Sequence, residues 1–149
     1  MFDLSSNYSL FTLPVAVVLA YAPHFLKGSI VVGQTGKWNN ISPRSNVDKA
    51  EKMMTQAAFR KAKRCEAAHQ NGLESFSIFA GAVIAANYAN VSNVTLNIAS
   101  WSYVLCRMIY NYVYINGESQ AVGNLRSLIW FISFLIPSYL YVLAAGSVA

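Results

Sequence analysis

Four long apolar stretches, separated by polar segments, form the main pattern of this sequence. They cover residues 10–32, 73–91, 94–115 and 125–146. A helix needs about 20 mostly apolar residues to cross the hydrocarbon core of a bilayer, and all four stretches fall in that range. The alternative is a soluble four-helix protein with one very apolar face. The pattern favours an all-α membrane protein, a four-transmembrane-helix bundle that forms a single domain over residues 1–149.

The polar segment after the first apolar stretch divides into a loop and a helix. Gly, Pro and paired Asn residues over 33–47 are typical of a loop. Asp48, with Glu51 three residues later, has the spacing of a capping box and predicts one long helix over 49–90. The few polar residues at 90–93 predict a tight turn, so the second and third spans are expected to be antiparallel neighbours.

Charge is sparse and unevenly distributed. Charged residues make up 11% of the chain, against about 25% in ordinary soluble domains. Eight of the eleven Lys and Arg residues lie within 33–72, a basic loop and helix extension. Short basic segments stay in the cytosol, so this one is expected there, with both termini on the opposite side of an integral, multi-pass protein. Because the basic run adjoins the spans, anionic lipid headgroups explain it better than nucleic acid does.

Several other polar side chains have structural explanations. Lys27, near the cytosolic end of the first span, is expected to extend its ammonium group to the lipid headgroups, and a position in a polar cavity is the alternative. Cys65 and Cys106 are expected to be structural thiols, and no metal site is predicted. Trp130 and Ser133 are expected to pack, with a position along a substrate groove as the alternative.

Three ionisable residues lie at or near membrane depth: Glu74, Arg107 and Arg126. Each costs about 2.5–3.5 kcal/mol at the bilayer centre and less near its surface. All three fall in the cytosolic half of their predicted spans, so they can converge in the folded bundle. Charged groups at this depth usually face the bundle interior or a water-filled cavity, which marks a candidate functional site.

The third span carries polar residues along one helical face. They recur at steps of three and four: Ser100, Tyr103, Arg107, Tyr110 and Tyr114. An arginine flanked by tyrosine hydroxyls suits a carboxylate or a thiolate, because the guanidinium group forms strong charged hydrogen bonds. The alternative is an arginine that pairs only with Glu74, with the tyrosines forming a belt at the membrane interface.

Motifs in three spans carry a family resemblance. The segment Arg64-Cys-Glu-Ala-Ala-His-Gln-Asn-Gly-Leu-Glu74 resembles the second-span signature of the MAPEG family, membrane proteins of eicosanoid and glutathione metabolism. Arg107-x-x-Tyr110-x-x-x-Tyr114 is similar to the family's third-span pattern, and Arg126-Ser127 to the arginine that opens its fourth span. With four spans, similar size and the same charge topology, the resemblance covers nearly the whole chain.

Two positions depart from the family pattern. The arginine expected four residues before Asn71 is Ala67 here, and the position just before Asn71, often basic in the family, is Gln70. Candidates to replace the lost charge are Lys27, Lys63 and Arg64. A weakened glutathione site is therefore the expectation.

The resemblance implies a homotrimer with glutathione bound in each interface between subunits, open to the cytosol. The glutathione-binding residues that it implies are Asn71, Glu74, Arg107, Tyr110 and Tyr114, and Arg126 would be the catalytic residue that stabilises the thiolate. The implied activity is transfer of glutathione to, or reduction of, a lipophilic electrophile or hydroperoxide, in the endoplasmic reticulum or another internal membrane. The alternative is a non-catalytic membrane lipid-binding protein on the same scaffold.

Overall fold

Every regular element in the described part of the chain is helical. A computed structural model describes residues 5–149, so the first four residues of the predicted domain lie outside it. Its α-helices are α1 (Thr12–Thr35), α2 (Asn46–Ala50), α3 (Gln56–Tyr88), α4 (Asn93–Asn116) and α5 (Gln120–Val148). Short 3-10 turns cover Ser9–Phe11, Pro43–Ser45 and Glu51–Met53. The prediction of an all-α chain is confirmed.

Side-chain caps begin the last three long helices. The hydroxyl oxygens of Thr55, Ser92 and Ser119 each accept the backbone N–H three residues further on, at 3.2–3.3 Å. The first turn of a helix leaves such donors without a partner inside the helix, and a Ser or Thr at this position supplies one. The caps therefore define where α3, α4 and α5 start.

The predicted helix over 49–90 is wrong in its first part. The short helix α2 begins at Asn46, so Asp48 lies inside it and is not its N-cap. The backbone is extended at Met54, and α3 begins only after Thr55. The interruption folds this segment onto the long helices in a small apolar cluster of Val31, Val47, Ala50, Met54 and Ala62. Burial of these side chains favours the bent path over a straight helix.

α3 lies at the centre of the bundle and packs against α1, α4 and α5. The connections from α3 to α4 and from α4 to α5 are short, and both pairs are in contact, as expected for antiparallel neighbours. In the largest apolar cluster, the ring of Phe79 on α3 stacks on that of Tyr103 on α4, with 3.8 Å between their centroids. This contact fixes the face of α4 that points inward.

The outer surface is apolar, whereas several polar side chains are buried. Exposed apolar side chains on the long helices include Val18, Phe25, Ile98, Leu105, Leu128, Phe131 and Val142. The buried polar side chains include Thr12, Lys27, Asn97, Ser100, Arg107 and Ser133. Water-soluble proteins rarely expose so much continuous apolar surface, and polar groups within membrane bundles face inward.

Two helical segments, Ser9–Thr35 and Gln120–Val148, are by length and composition long and apolar enough to cross a membrane. They contain the predicted first and last spans. The predicted span at 73–91 lies on α3 except for its last three residues, and that at 94–115 lies on α4. Both helices carry more polar residues, and these two spans stay predictions.

Pro23 interrupts the hydrogen bonding of α1, and neighbouring helices compensate. A proline has no N–H to donate to the carbonyl four residues earlier, here that of Leu19. The side-chain amide of Asn111 on α4 donates to that carbonyl at 2.8 Å. The Nδ1 atom of His69 on α3 lies 2.8 Å from the next carbonyl oxygen, that of Ala20. These contacts hold α1 against both helices at the point where its own hydrogen bonding is weakest.

The close crossing of α1 and α3 depends on Gly72. A Cβ atom at this position would lie 2.9 Å from the Cα atom of Ala20, and backbone cannot move aside as a flexible side chain can. We expect Gly72→Ala to destabilise the protein by about 1–3 kcal/mol, measured as a lower midpoint of thermal unfolding in detergent. Gly28→Ala, on α1, is the control, since a Cβ there meets nothing within 4 Å. Equal midpoints for the two variants would contradict this role.

Candidate functional site

Arg107 lies in the interior of the bundle without a protein partner for its terminal nitrogens. The residue is 4% exposed, and neither Nη1 nor Nη2 forms a hydrogen bond within residues 5–149. The alternative in which Arg107 pairs only with Glu74 is therefore wrong, because no ion pair joins them in the described chain. A buried guanidinium group whose terminal nitrogens lack hydrogen bonds is costly, which makes Arg107 a candidate for binding an anion.

Two arginines and two tyrosines form a stacked series along α4 and the start of α5. The Cζ atom of Arg107 lies 4.2 Å from the ring centroid of Tyr110, and the Cζ atom of Arg126 lies 4.3 Å from that of Tyr114. The two tyrosine rings meet edge to face, with 5.5 Å between their centroids. Steps of three and four place the α4 residues on one face, and cation–π attraction holds the guanidinium groups over the rings. Four of the predicted site residues thus form one continuous group.

A polar cavity of about 640 Å³ lies beside this stacked series. Tyr114, Arg126 and Ser127 line one side of it, and Arg60 and Arg64 of α3 line another. Its volume falls in the range of small-molecule sites, about 300–1,000 Å³. We call it the arginine cavity. Three guanidinium groups around one space favour an anionic ligand.

The second-span motif does not mark Arg60 as a site residue, and Arg64 enters only as a replacement for a missing charge. The spacing of residues along the helix could have identified both arginines as neighbours of the predicted site. Residues 60, 64, 67, 71 and 74 recur at steps of four and three, which places them in one stripe along α3. The two arginines therefore extend the face that carries Asn71 and Glu74.

A smaller cavity of about 140 Å³ holds the two α3 residues of the predicted site. Asn71 and Glu74 line it together with Tyr103 of α4 and with Trp130 and Ser133 of α5. The expected packing is seen as well, because the ring of Trp130 stacks on that of Phe134 and Ser133 is buried. Their position along a substrate groove stays a prediction. We call this space the tryptophan groove, and its mixed lining suits a ligand that is partly polar and partly apolar.

The predicted site residues occupy adjoining spaces and not one pocket. Arg107 lines a space of about 10 Å³ between α1, α3 and α4, which is about the size of one water molecule. Tyr103 lines both this space and the tryptophan groove. Within a single chain, the two arginines and two tyrosines of the stacked series are in contact with one another. Asn71 and Glu74 lie apart from them, in the tryptophan groove.

Lys27 points into the protein and not to the lipid headgroups. It is 4% exposed, and its Nζ atom lies 3.3 Å from Oε1 of Glu66. The expected extension to the headgroups is wrong, and the alternative, a position in a polar cavity, is confirmed. That cavity, of about 460 Å³, also contains His24 and His69, whose ring centroids are 4.9 Å apart.

Two groups in the helix extension have raised pKa values. Hydrogen bonds to Asp48 at 2.9 Å and Glu66 at 3.0 Å raise the pKa of Lys63, so this ammonium group stays charged and engaged by those carboxylates. Burial raises the pKa of the Cys65 thiol, which has no exposed surface. The reactive thiolate form of Cys65 is therefore disfavoured, in line with a structural thiol.

Comparison with known proteins identifies the family. The MAPEG family model matches residues 11–146, which is most of the chain. Comparison with curated proteins and with solved structures gave no match. MAPEG proteins are membrane proteins of glutathione and eicosanoid metabolism, in agreement with the apolar outer surface and the buried arginine described above. The chain belongs to the MAPEG family.

Proposed function

We propose that this protein is a glutathione-dependent membrane enzyme of the transferase or peroxidase type. In this proposal it activates the thiolate of glutathione for transfer to a lipophilic electrophile, or for reduction of a hydroperoxide. Membership of a family of glutathione and eicosanoid metabolism supports this assignment. The apolar walls of the bundle would give a lipid-dissolved substrate direct access from the bilayer.

The observation that carries the proposal is the buried guanidinium group of Arg107, whose terminal nitrogens form no hydrogen bond within residues 5–149. Burying a cation costs desolvation free energy, and replacing it by an apolar side chain would remove that cost. Binding of an anionic ligand would compensate it. Glutathione carries two carboxylates and a thiol, which are the acceptors that such a group prefers. The stacked series leads from Arg107 to Arg126. In this proposal the two cations would bind different parts of one anionic ligand.

Arg126 is the residue proposed to stabilise the thiolate. An adjacent cation lowers the pKa of a thiol and raises the fraction of the reactive form at neutral pH. Arg126 is half-buried over the ring of Tyr114 and lines the arginine cavity, where a substrate can reach it. Its orientation is thus held by the ring, whereas its outer face stays open to a ligand.

The remaining predicted residues are proposed to hold the tripeptide. The amide nitrogen of Asn71 donates to the carbonyl of Ala67 at 3.1 Å, which orients the side-chain oxygen of Asn71. The carboxylate of Glu74 suits the ammonium group of glutathione. Tyr110 and Tyr114 offer hydroxyl donors on the same face as Arg107.

We also propose a homotrimer, with glutathione at each interface between subunits. Glu74 is exposed on the single chain, although its predicted position is within a membrane span. An exposed carboxylate in lipid is costly, and a second copy of the chain packed over this face would shield it. In the same proposal the protein resides in the endoplasmic reticulum or another internal membrane, with its basic segment in the cytosol, where glutathione is available.

The test is the ultraviolet difference spectrum of glutathione mixed with purified, detergent-solubilised protein at neutral pH. We expect a thiolate absorption band that saturates with glutathione and gives the same dissociation constant as isothermal titration calorimetry. A protein that gives neither a band nor heat of binding would contradict the proposal. The departures at Ala67 and Gln70 would then favour the alternative, a non-catalytic lipid-binding protein on the same scaffold.

A further inference from the structure

A cavity of about 720 Å³ lies at the end of α1 that is predicted to face the cytosol. Val31 and Thr35, in the last turns of α1, form one side of it, and the segment from the loop to the turn after α2 forms the other. Two lysines, Lys37 and Lys49, line this space, and no carboxylate of the described chain does. We call it the lysine cavity. Because the predicted first span ends at residue 32, the cavity adjoins the surface of the membrane.

The two lysines of this cavity are available to an anion. Neither ammonium group forms an ion pair within residues 5–149. Asp48, the neighbour of Lys49 in sequence, is bound by Lys63 at 2.9 Å, and Glu51 does not line the cavity. Two ammonium groups around one space without a compensating carboxylate favour an anionic ligand.

Apolar side chains line the same cavity and are exposed. Ile41 is 94% exposed and Met53 is 60% exposed. Trp38 also lines the cavity, and it packs against the small apolar cluster that contains Val47. Tryptophan is enriched where proteins meet the membrane surface, and exposed apolar side chains beside lysines are typical of surfaces that lie on a bilayer. A free anion would leave Ile41 and Met53 in water, whereas a lipid would cover them.

Two asparagine side chains hold the loop in this shape. The Oδ1 atom of Asn46 accepts the backbone N–H of Asn39 at 2.9 Å, and its amide nitrogen donates to the carbonyl oxygens of Asn39 and Pro43 at 2.9 and 3.0 Å. The Oδ1 atom of Asn39 accepts the backbone N–H of Ile41 at 2.8 Å. The loop that presents Ile41 is therefore already ordered, which reduces the entropy lost when a lipid binds.

We propose that the lysine cavity binds a phospholipid with an anionic headgroup from the adjoining leaflet. Lys37 and Lys49 bind the charged headgroup, and the acyl chains pass Ile41 and Met53 toward the exposed apolar side of α1. The basic segment thus has a defined lipid site, in addition to the general attraction between its charges and an anionic membrane. This site lies apart from the arginine cavity and the tryptophan groove, so it does not depend on glutathione.

The experiment measures how strongly brominated lipids quench the fluorescence of Trp38. The parent protein carries Trp101→Phe and Trp130→Phe, so that Trp38 is its only tryptophan. It is reconstituted in vesicles of equal parts phosphatidylserine and phosphatidylcholine, with bromine on the acyl chains of either one lipid or the other. Bromine quenches only at contact, so the two samples report which lipid lies beside Trp38. We expect phosphatidylserine to exceed phosphatidylcholine there by about five- to 25-fold, because each of the two lysines contributes about fivefold.

Matched variants separate this site from the general charge of the segment. The test variant combines Lys37→Gln with Lys49→Gln, and it should quench equally with the two lipids. The control combines Lys52→Gln with Lys61→Gln, which removes the same charge outside the cavity lining and should keep the excess of phosphatidylserine. Ile41→Ser should reduce quenching by both lipids, because the apolar contact is lost. All variants should keep the unfolding midpoint of the parent protein in detergent.

Equal quenching by the two lipids in the parent protein, or an equal loss of the excess in both double variants, would overturn the proposal and leave only a general attraction to the membrane. Inorganic phosphate should not relieve the quenching by brominated phosphatidylserine, and relief would assign the cavity to a soluble anion instead. Absence of quenching by either lipid would also overturn the lipid site, and binding of a polyglutamate peptide would then indicate an acidic protein partner. None of these readouts involves glutathione, so the proposed function is tested separately.

Discussion

Arg126→Ala is expected to lower the turnover number with a lipophilic electrophile by about 10²- to 10³-fold, while glutathione still binds. The reason is that the substitution removes a cation beside the developing thiolate and leaves Arg107 and the tyrosines in place. Turnover is measured with a thiol-reactive chlorodinitroarene by absorbance, and binding by calorimetry. The thiolate band of the variant should be absent at neutral pH and appear only as the pH approaches the ordinary pKa of a thiol.

The control for this variant is Arg44→Ala, which removes an exposed arginine from the loop before α2. Arg44 lines the cavity that also holds Lys27 and does not line the arginine cavity. The turnover number of Arg44→Ala should therefore stay at the wild-type level. Arg126→Lys keeps a positive charge but lacks the planar group that stacks on Tyr114, and an intermediate rate is expected. Unchanged turnover in Arg126→Ala would rule out its catalytic role.

The second large effect is expected from Arg107→Met, which should stabilise the protein without ligand and abolish glutathione binding. In the structure the terminal nitrogens of Arg107 are buried without partners, and an unsatisfied buried group costs about 1–3 kcal/mol, more when charged. Methionine fills similar space without a charge. Thermal unfolding in detergent should therefore show a higher midpoint for the variant. The stabilisation by ligand, about 2.7 kcal/mol at 100 times Kd in wild type, should vanish.

The comparison variant is Arg107→Lys, which keeps the buried charge and should gain no stability. Comparison of Arg107→Met with Arg107→Lys distinguishes a ligand-binding role of the Arg107 charge from a role in stabilising the fold. If Arg107 were a structural residue, Arg107→Met would lower the unfolding midpoint and leave calorimetric binding of glutathione intact. That result would remove the observation that carries the proposed function.

Much of the helical layout could be predicted from local pattern. The predicted stretch at 94–115 agrees with α4 to within one residue at each end, because Ser92 caps its start and an apolar run of this length favours a helix. The last stretch, predicted at 125–146, starts five residues earlier as α5, where Ser119 caps it. Caps and apolar runs act within a few residues of chain, so they can be recognised without the fold.

The predictions that failed depend on residues distant in sequence. The spacing of Asp48 and Glu51 suits a capping box, but the chain bends at Met54 because Val47 finds apolar partners on α1 and α3. Lys27 could extend to the headgroups by its position alone, but Glu66 holds it inside. In both cases a contact between segments outweighed a local preference.

Sequence by itself determined the class of this protein and its family: long apolar runs predict membrane helices, and the family model matches residues 11–146. Only the tertiary structure decided how the charges are used. Within the described residues it left the terminal nitrogens of Arg107 without hydrogen bonds, stacked Arg126 on Tyr114, and placed Arg64 at the same cavity as Arg126. The physical reason is that helix formation and insertion depend on neighbours in sequence, whereas the partner of a charge depends on which helices pack together.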